Sequence, residues 1–388
     1  MPSPDYQADI VPRIDPQHLR IATFNVENLF SRPVVMNYED NRKGQPYLDD
    51  FHELNTLFNK DVYSDQDKAR ILKLMRKHKL TGARPDDRYL VFRRIRGQLI
   101  ATRNGEPVVV ANGRQDWLGW LELKEAEVKD QAIHNTARVI AAVDADIVAL
   151  VEVEHRPALV EFQKGVLEPI LKKTGRGGYP YALVVDGNDT RGIDVAILSR
   201  HPVTDITTHI FDVPDAPPIF ARDCCEYFVD LPTLNGRLIV MINHFTSKGS
   251  DADGMRRRFP QAKQVAAIVK GRLAQGFKYL VVAGDLNDYP DAECLEPLLG
   301  LPYLTDTVAK FAEKIDPAGT RLGTYRTGTK QLDYLLLSEG LAGRAEQGGI
   351  ERRGHYAPRT WKAFDTVTSA RVQASDHHCV YADIDVTN

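Results

Sequence analysis

The run Tyr279-Leu280-Val281-Val282-Ala283-Gly284-Asp285-Leu286-Asn287-Asp288 ends an apolar, β-branched stretch in a glycine and then sets a carboxylate and an amide at alternate positions. Side chains two apart on a strand share a face, so Asp285 and Asn287 leave its end side by side. That pairing suits a hydrated metal ion or a phosphate ester, and it equally suits an Asx turn closing an ordinary strand. Other polar groups fall at similar places. Asn25 lies in the strand-like run Leu19–Val26, and Glu152 ends the buried-type run that starts at Ala145. An unpaired carboxylate in an interior is costly, so Glu152 either reaches solvent or holds a cation. By the same reasoning Asp194, inside the apolar run Ile193–Leu198, needs a partner or marks a site. Asn243 and His244 close the run Arg237–Ile242, Asp333 lies near the start of Lys330–Leu337, and Asp376-His377 precede Cys379–Ile384. Each alone has a structural reading as a turn, a cap or a strand-end histidine.

The elements that must position these groups alternate along the chain. Helices are expected over Lys129–Val143, Ala158–Lys173 and Arg256–Leu273, and further strands over Tyr181–Val185 and Phe220–Val229, from their apolar periodicity. Between Ser31 and Lys129 the pattern changes. Pro33–Asp50 reads as polar and turn-rich, and Asp65–Leu80 as a helix. Tyr89–Arg96 and Val108–Val110 flank Arg103-Asn104-Gly105-Glu106, a hairpin signal. Lys68, Arg70, Lys73, Arg76, Lys77, Lys79, Arg84, Arg88, Arg93, Arg94, Arg96 and Arg103 gather here with few acids to answer them. Such a run is a solvated face or the footprint of an anionic polymer.

With 388 residues, 43% hydrophobic and 27% charged, the chain has the composition of a soluble globular protein, and its net charge of -3 excludes a global pull toward nucleic acid. Neighbouring Cys224 and Cys225, with the distant Cys294 and Cys379, make neither a disulfide framework nor a zinc motif. The start Met1-Pro2-Ser3-Pro4-Asp5 is unlike a signal peptide, and no apolar run approaches the roughly 20 residues of a membrane helix. A cytoplasmic protein with no membrane partner is expected.

Taken in order, Phe24-Asn25, Leu150-Val151-Glu152, Gly192-Ile193-Asp194-Val195-Ala196, Asn243-His244, Gly284-Asp285-Leu286-Asn287, Leu332-Asp333-Tyr334 and Ser375-Asp376-His377 resemble the endonuclease/exonuclease/phosphatase (DNase I-like) superfamily. The resemblance covers Leu19–Phe30 and Lys129–Asp385. It implies an α+β fold, a two-sheet αββα sandwich, here one domain over residues 1–388 with a helix-plus-hairpin insertion at 31–129. It also implies hydrolysis of a phosphoester by water, dependent on a divalent metal, Mg²⁺ or Mn²⁺. On this resemblance Glu152 is the principal metal ligand, with Asn25 and Asp376 nearby. Asp285 activates the water, Asn287 holds a phosphate oxygen, and His377, oriented by Asp333, binds the phosphate or serves as acid/base. His244 takes the other phosphate-facing position, and Asp194 or Arg191 supports His244 or binds the phosphate itself. Val151 and Gln331 depart from the family pattern without removing a catalytic group.

Asn243-His244-Phe245-Thr246-Ser247-Lys248-Gly249, followed by Arg256-Arg257-Arg258, resembles bacterial extracellular-type deoxyribonucleases, in which Lys248 and the three arginines, Arg256 among them, would track a phosphate backbone. Nucleic acid is therefore the expected substrate. The alternatives are a phosphatase or a lipid or small-molecule phosphodiesterase on the same site, and a non-catalytic binding module. The retained acids and His377 speak against the last.

Overall fold

The computed structural model describes residues 5–29, 41–82, 85–124, 131–189, 192–212, 218–234, 236–248 and 251–387. The chain divides into two compact units, Met1–Phe30 with Val128–Asn388, and Ser31–Glu127.

The first unit opens with β1 (Leu19–Leu29). The second unit then runs through α1 (Asn41–Phe58), α2 (Asp65–Lys77), β2 (Leu90–Gly97), β3 (Ile100–Arg103), β4 (Glu106–Val109) and β5 (Trp117–Leu123). Its core joins Leu54, Phe58, Ile71, Met75, Leu90, Phe92 and Trp117. Ser64 caps α2 reciprocally with Asp67, which fixes where that helix starts. Three expectations are corrected here. Helix α1 occupies much of the stretch read as turn-rich, because Pro46 and polar neighbours mask an apolar face that begins only at Tyr47; positions 33–40 of that stretch lie outside the described residues. The tight turn at Asn104 and Gly105 joins β3 to β4, whereas β2 pairs with β5. Acids also answer many of the basic residues: Arg70 meets Glu53 at 2.6 Å, Arg76 meets Glu106 at 2.6 Å, Lys77 meets Asp50, and Arg93 meets Glu122 at 2.9 Å. Exposed pairs of this kind add little stability, but they cancel charge. Arg94 and Arg96 stay exposed, and Arg84 lies outside the described residues.

The first unit resumes with α3 (Gln131–Val143), β6 (Ile147–Val153), α4 (Arg156–Phe162), α5 (Glu168–Lys173), β7 (Tyr181–Val185), β8 (Asp194–Ser199), β9 (Val203–Thr207), β10 (Cys225–Asp230), β11 (Arg237–His244), α6 (Asp251–Ala274), β12 (Tyr279–Asp285), β13 (Leu304–Asp306), β14 (Asp333–Ser338), β15 (Ala345–Glu351) and β16 (Cys379–Ile384). One six-stranded sheet has the order β15-β16-β1-β6-β8-β7, the other β13-β14-β12-β11-β10-β9. Their inner faces pack together through Ile21, Ile147, Ala149 and Val195 from the first sheet and Val240, Ile242, Val281 and Leu335 from the second. Helices α3, α4 and α5 cover the outer face of the first sheet and α6 that of the second. This is the αββα sandwich. Truncating a side chain such as Leu335, fully buried between the sheets, costs about 2–5 kcal/mol.

The four cysteines are buried and free. No helix among the described residues is long and apolar enough to cross a membrane.

Candidate active site

Parallel pairs lie at the heart of each sheet, β1 with β6 and β11 with β12, and their C-terminal ends converge. The Asn25 amide spans the two sheets, donating to Glu152 Oε1 and to Asp285 Oδ2, each at 3.2 Å. Its own oxygen accepts the Glu27 N–H at 3.0 Å, so in this arrangement Asn25 steadies both carboxylates.

Glu152 owes its aim to a backbone irregularity. The pairing of β6 shifts register on both sides, against β1 and against β8, and Glu152 itself has φ 68°. A bulge with a non-glycine residue at positive φ re-aims its side chain at some cost in strain, a feature concentrated at functional sites. Gly284 serves the other sheet. Its φ is 125°, and a Cβ there would lie 1.9 Å from the Asn243 carbonyl oxygen, so only glycine lets β12 approach β11 this closely.

Asp285 is almost fully buried. It accepts the Asn287 N–H at 2.8 Å, and the Nε2 atoms of His244 and His377 each lie 3.8 Å from its Oδ2. His244 Nε2 is also 3.9 Å from Glu152 Oε1. Burial, helped by Asp333 and Glu152 and opposed by His377, pushes the Asp285 carboxyl up into the neutral range. Burial would depress His377, but the Asp333 and Asp285 carboxylates outweigh it and raise its pKa. Asp333 Oδ2 accepts from His377 Nδ1 at 2.8 Å and from the Thr324 hydroxyl at 2.7 Å. The imidazole is thereby held with Nε2 facing Asp285. Asn287, at φ 54°, donates its side-chain N–H to the Phe245 carbonyl at 3.0 Å.

Asp376 flanks the histidine, with Oδ1 3.8 Å from His377 Nε2 and its N–H donated to Glu27 Oε2 at 2.8 Å. Glu27 was not singled out from the sequence. It stands at φ 48° in the β1 irregularity, a conformation that no residue pattern announces. Although the residue keeps solvent contact, desolvation of its carboxyl and the neighbouring Asp376 and Glu152 charges hold its pKa above the usual range. Three carboxylates with oxygen to offer and too little positive charge are a donor set that fits a hard divalent cation. Asp285, Asp333 and His377 also present ligand atoms within 4.8 Å of one another. In that second group Nδ1 of His377 is already committed to Asp333.

The remaining residues fall further out. Asp194 accepts the Gly187 N–H at 2.8 Å, and burial with the nearby Asp186 and Asp189 charges pushes its carboxyl up to about 7. It thus pins the loop after β7. Arg191 lies outside the described residues. Lys248 pairs with Asp288 at 2.5 Å, and Arg256 is exposed on α6. Arg258, read from the sequence as one of the residues tracking phosphate, is buried instead; it donates to Asp288 at 3.0 Å and to the Thr246 carbonyl at 3.2 Å, tying α6 to the site loops. Gln331, one of the departures from the family pattern, donates to Asp306 at 2.9 Å.

A His–Asp pair, a buried carboxylate and a group of acids thus meet at one end of the two-sheet sandwich. A profile of the Endonuclease/Exonuclease/phosphatase family matches residues 126–377, and the chain belongs to that family. Its members are phosphoester hydrolases that generally use a divalent metal. Among solved structures, the chain is similar to truncated Caenorhabditis elegans TDP2 (18% identity, 65% of this chain and 89% of that one, TM-score 0.46). It is also similar to a Bacteroides thetaiotaomicron mannosyl-6-phosphatase (16%, 66% and 91%, 0.46) and to the human Nocturnin catalytic domain (14%, 68% and 88%, 0.46). No curated protein sequence matches it.

Proposed function

We propose that the chain is a divalent-metal-dependent phosphodiesterase acting on nucleic acid, DNA or RNA, by attack of water on the phosphodiester. The observation that carries this reading is Asp285, buried between His244 and His377 and within hydrogen-bond reach of the amide that steadies Glu152. Glu152, with Asp376, Glu27 and Asn25 around it, would hold a Mg²⁺ or Mn²⁺ ion, which when bound would supply charge neutralisation on the phosphate.

The chain's own groups do the rest. Asp285, its basicity raised by burial, takes the proton of the attacking water. The water oxygen bonds to phosphorus as the opposite P–O ester bond breaks. His377, kept protonated by Asp333, presents Nε2–H to the phosphate or gives its proton to the leaving oxygen. His244 and Asn287 complete the polar lining, and Lys248 and Arg256 extend positive charge beyond it.

Purified protein incubated with plasmid, linear and single-stranded DNA, RNA, bis-p-nitrophenyl phosphate and p-nitrophenyl phosphate, with Mg²⁺, Mn²⁺ or EDTA, tests this. Metal-dependent cleavage of a polynucleotide is expected. Turnover of the monoester alone would make the protein a phosphatase, and no turnover of any of these compounds would remove the proposal.

A further inference from the structure

The loop after Asn287 carries an arrangement that the hydrolytic site does not use. The ammonium groups of Lys248 and Lys330 both stand over the ring of Tyr289, 3.5 and 5.2 Å from its centroid. They come from separate loops, one after β11 and one before β14. Lys248 is held in place by Asp288 at 2.5 Å. Asp288 is buried and already shared: Arg258 reaches its Oδ2 with Nε at 3.0 Å and with its terminal nitrogen at 2.8 Å, and the Cys294 thiol lies at 3.1 Å. One carboxylate thus answers two cations. Lys330 is exposed and, among the described residues, has no acidic partner. The patch is net positive, and on its Lys248 side the cation is held by the buried Asp288 carboxylate.

Its place is equally defined. Tyr289 follows Asn287 by two residues. Lys330 bridges in strand fashion to Tyr325, whose ring packs on His377 with centroids 4.9 Å apart. The loops that carry the cations thus adjoin those of the reacting centre: Lys248 lies four residues after His244, and Lys330 three residues before Asp333.

We propose that Lys248, Tyr289 and Lys330 form a subsite for a second phosphate of a polynucleotide, neighbouring the one that is cleaved. This inference rests on the phosphodiesterase reading and names the substrate class that the site prefers. Cations held over an aromatic face stay directed and partly desolvated, which suits them to a backbone phosphate. A small diester or a monoester has no second anion to place there and gains nothing from the patch. The subsite makes the enzyme one that favours chains of nucleotides over single phosphate esters.

The experiment compares the intact protein with Lys330→Gln, Lys330→Arg and a control, Lys172→Gln, on the exposed face of α5. Binding of a fluorescein-labelled single-stranded DNA 12-mer is followed by anisotropy in EDTA, between 50 and 200 mM NaCl. Losing one phosphate contact on a single strand flattens the log–log salt slope by about 0.7. That result is expected for Lys330→Gln, with Lys330→Arg close to the parent. The second arm compares hydrolysis of the 12-mer with that of bis-p-nitrophenyl phosphate, where Lys330→Gln is expected to lower the ratio several-fold. A Lys330→Gln protein that matches Lys172→Gln in slope and ratio overturns the subsite. If the parent hydrolyses the small diester yet neither binds nor cuts the 12-mer, the subsite is refuted while the phosphodiesterase reading stands. If it hydrolyses nothing, that reading falls, and the binding arm still decides whether the patch holds a polyanion.

Discussion

The two ends of the first sheet treat acidic residues in opposite ways. At the end where β1 and β6 begin, Asp383, Asp144 and Asp146 each meet arginine. Arg20 and Asp383, both fully buried, form a two-pronged pair at 2.5 and 2.7 Å, and Arg20 also satisfies the carbonyls of Val11, Pro12 and Val143. Asp146 accepts from Arg13 at 2.8 Å and from Arg200 at 3.3 Å, while Asp144 takes Arg200 at 2.6 Å and Arg176 at 3.2 Å. At the other end, Glu152, Glu27 and Asp376, together with Asp285 from the end of β12 in the second sheet, are met mainly by amides, by histidines and by each other, with Arg326 3.5 Å from Asp376 at the rim. One end uses charge to hold the fold together. The other concentrates negative charge that the fold does not neutralise, the arrangement a metal-dependent reaction requires.

Substitutions separate the two. At the acid-rich end, the near-isosteric His377→Gln and Asp285→Asn are each expected to lower phosphodiesterase kcat by about 10²- to 10⁴-fold while leaving the unfolding transition nearly in place, checked by steady-state kinetics and urea melts. Loss of folding instead of turnover would make these residues structural. At the arginine-rich end, Arg20→Ala strands Asp383 in the interior and is expected to cost about 3–5 kcal/mol in urea unfolding. Turnover per folded molecule should persist, and replacing both partners, Arg20→Met with Asp383→Leu, should recover much of the loss.

Acid sharpens the contrast. Burial opposes ionisation of Asp146, but its hydrogen bond and charge contact with Arg13 hold the carboxyl below the usual range. Its stabilisation is therefore fully present above the unfolded value near 3.9 and is lost as pH falls through the lower folded value. Asp146→Asn should destabilise the protein at pH 7 and have little effect at the acid limit. Glu27 carries the opposite sign, since its raised pKa means that the folded protein favours the protonated form. Its unfavourable contribution grows as pH rises past the unfolded value near 4.3. In EDTA, Glu27→Gln should raise the melting temperature slightly at pH 8 and hardly at all at pH 4. A fall at pH 8 would mean that its hydrogen bond to Asp376 outweighs the crowding.

Much of this contrast was legible before any coordinates. Short apolar, β-branched runs that end in Asn25, Glu152, His244 and Asp285 announce strands, and the ends of strands are where such side chains gather. The pairing of Asp333 with His377 across 44 residues came from family resemblance, because no local pattern links them. Glu27 was not legible, since its position depends on a register shift in β1 that composition does not encode. Helix α1 was hidden by Pro46 and a polar first half. Arg258 looked like a surface cation among Arg256 and Arg257, and only the docking of α6 on Asp288 buries it. The arginine network at the far end was equally silent, because it joins residues from the leader, two strands and the loops between elements.

We propose that the acid-rich end binds a divalent cation chiefly through Glu152. Titrating the protein with Mn²⁺ and following free ion by electron paramagnetic resonance tests this directly. A bound Mn²⁺ is expected, weakened at least tenfold by Glu152→Gln and unchanged by Arg20→Met with Asp383→Leu. Equal Mn²⁺ affinity in the parent and in Glu152→Gln would contradict it.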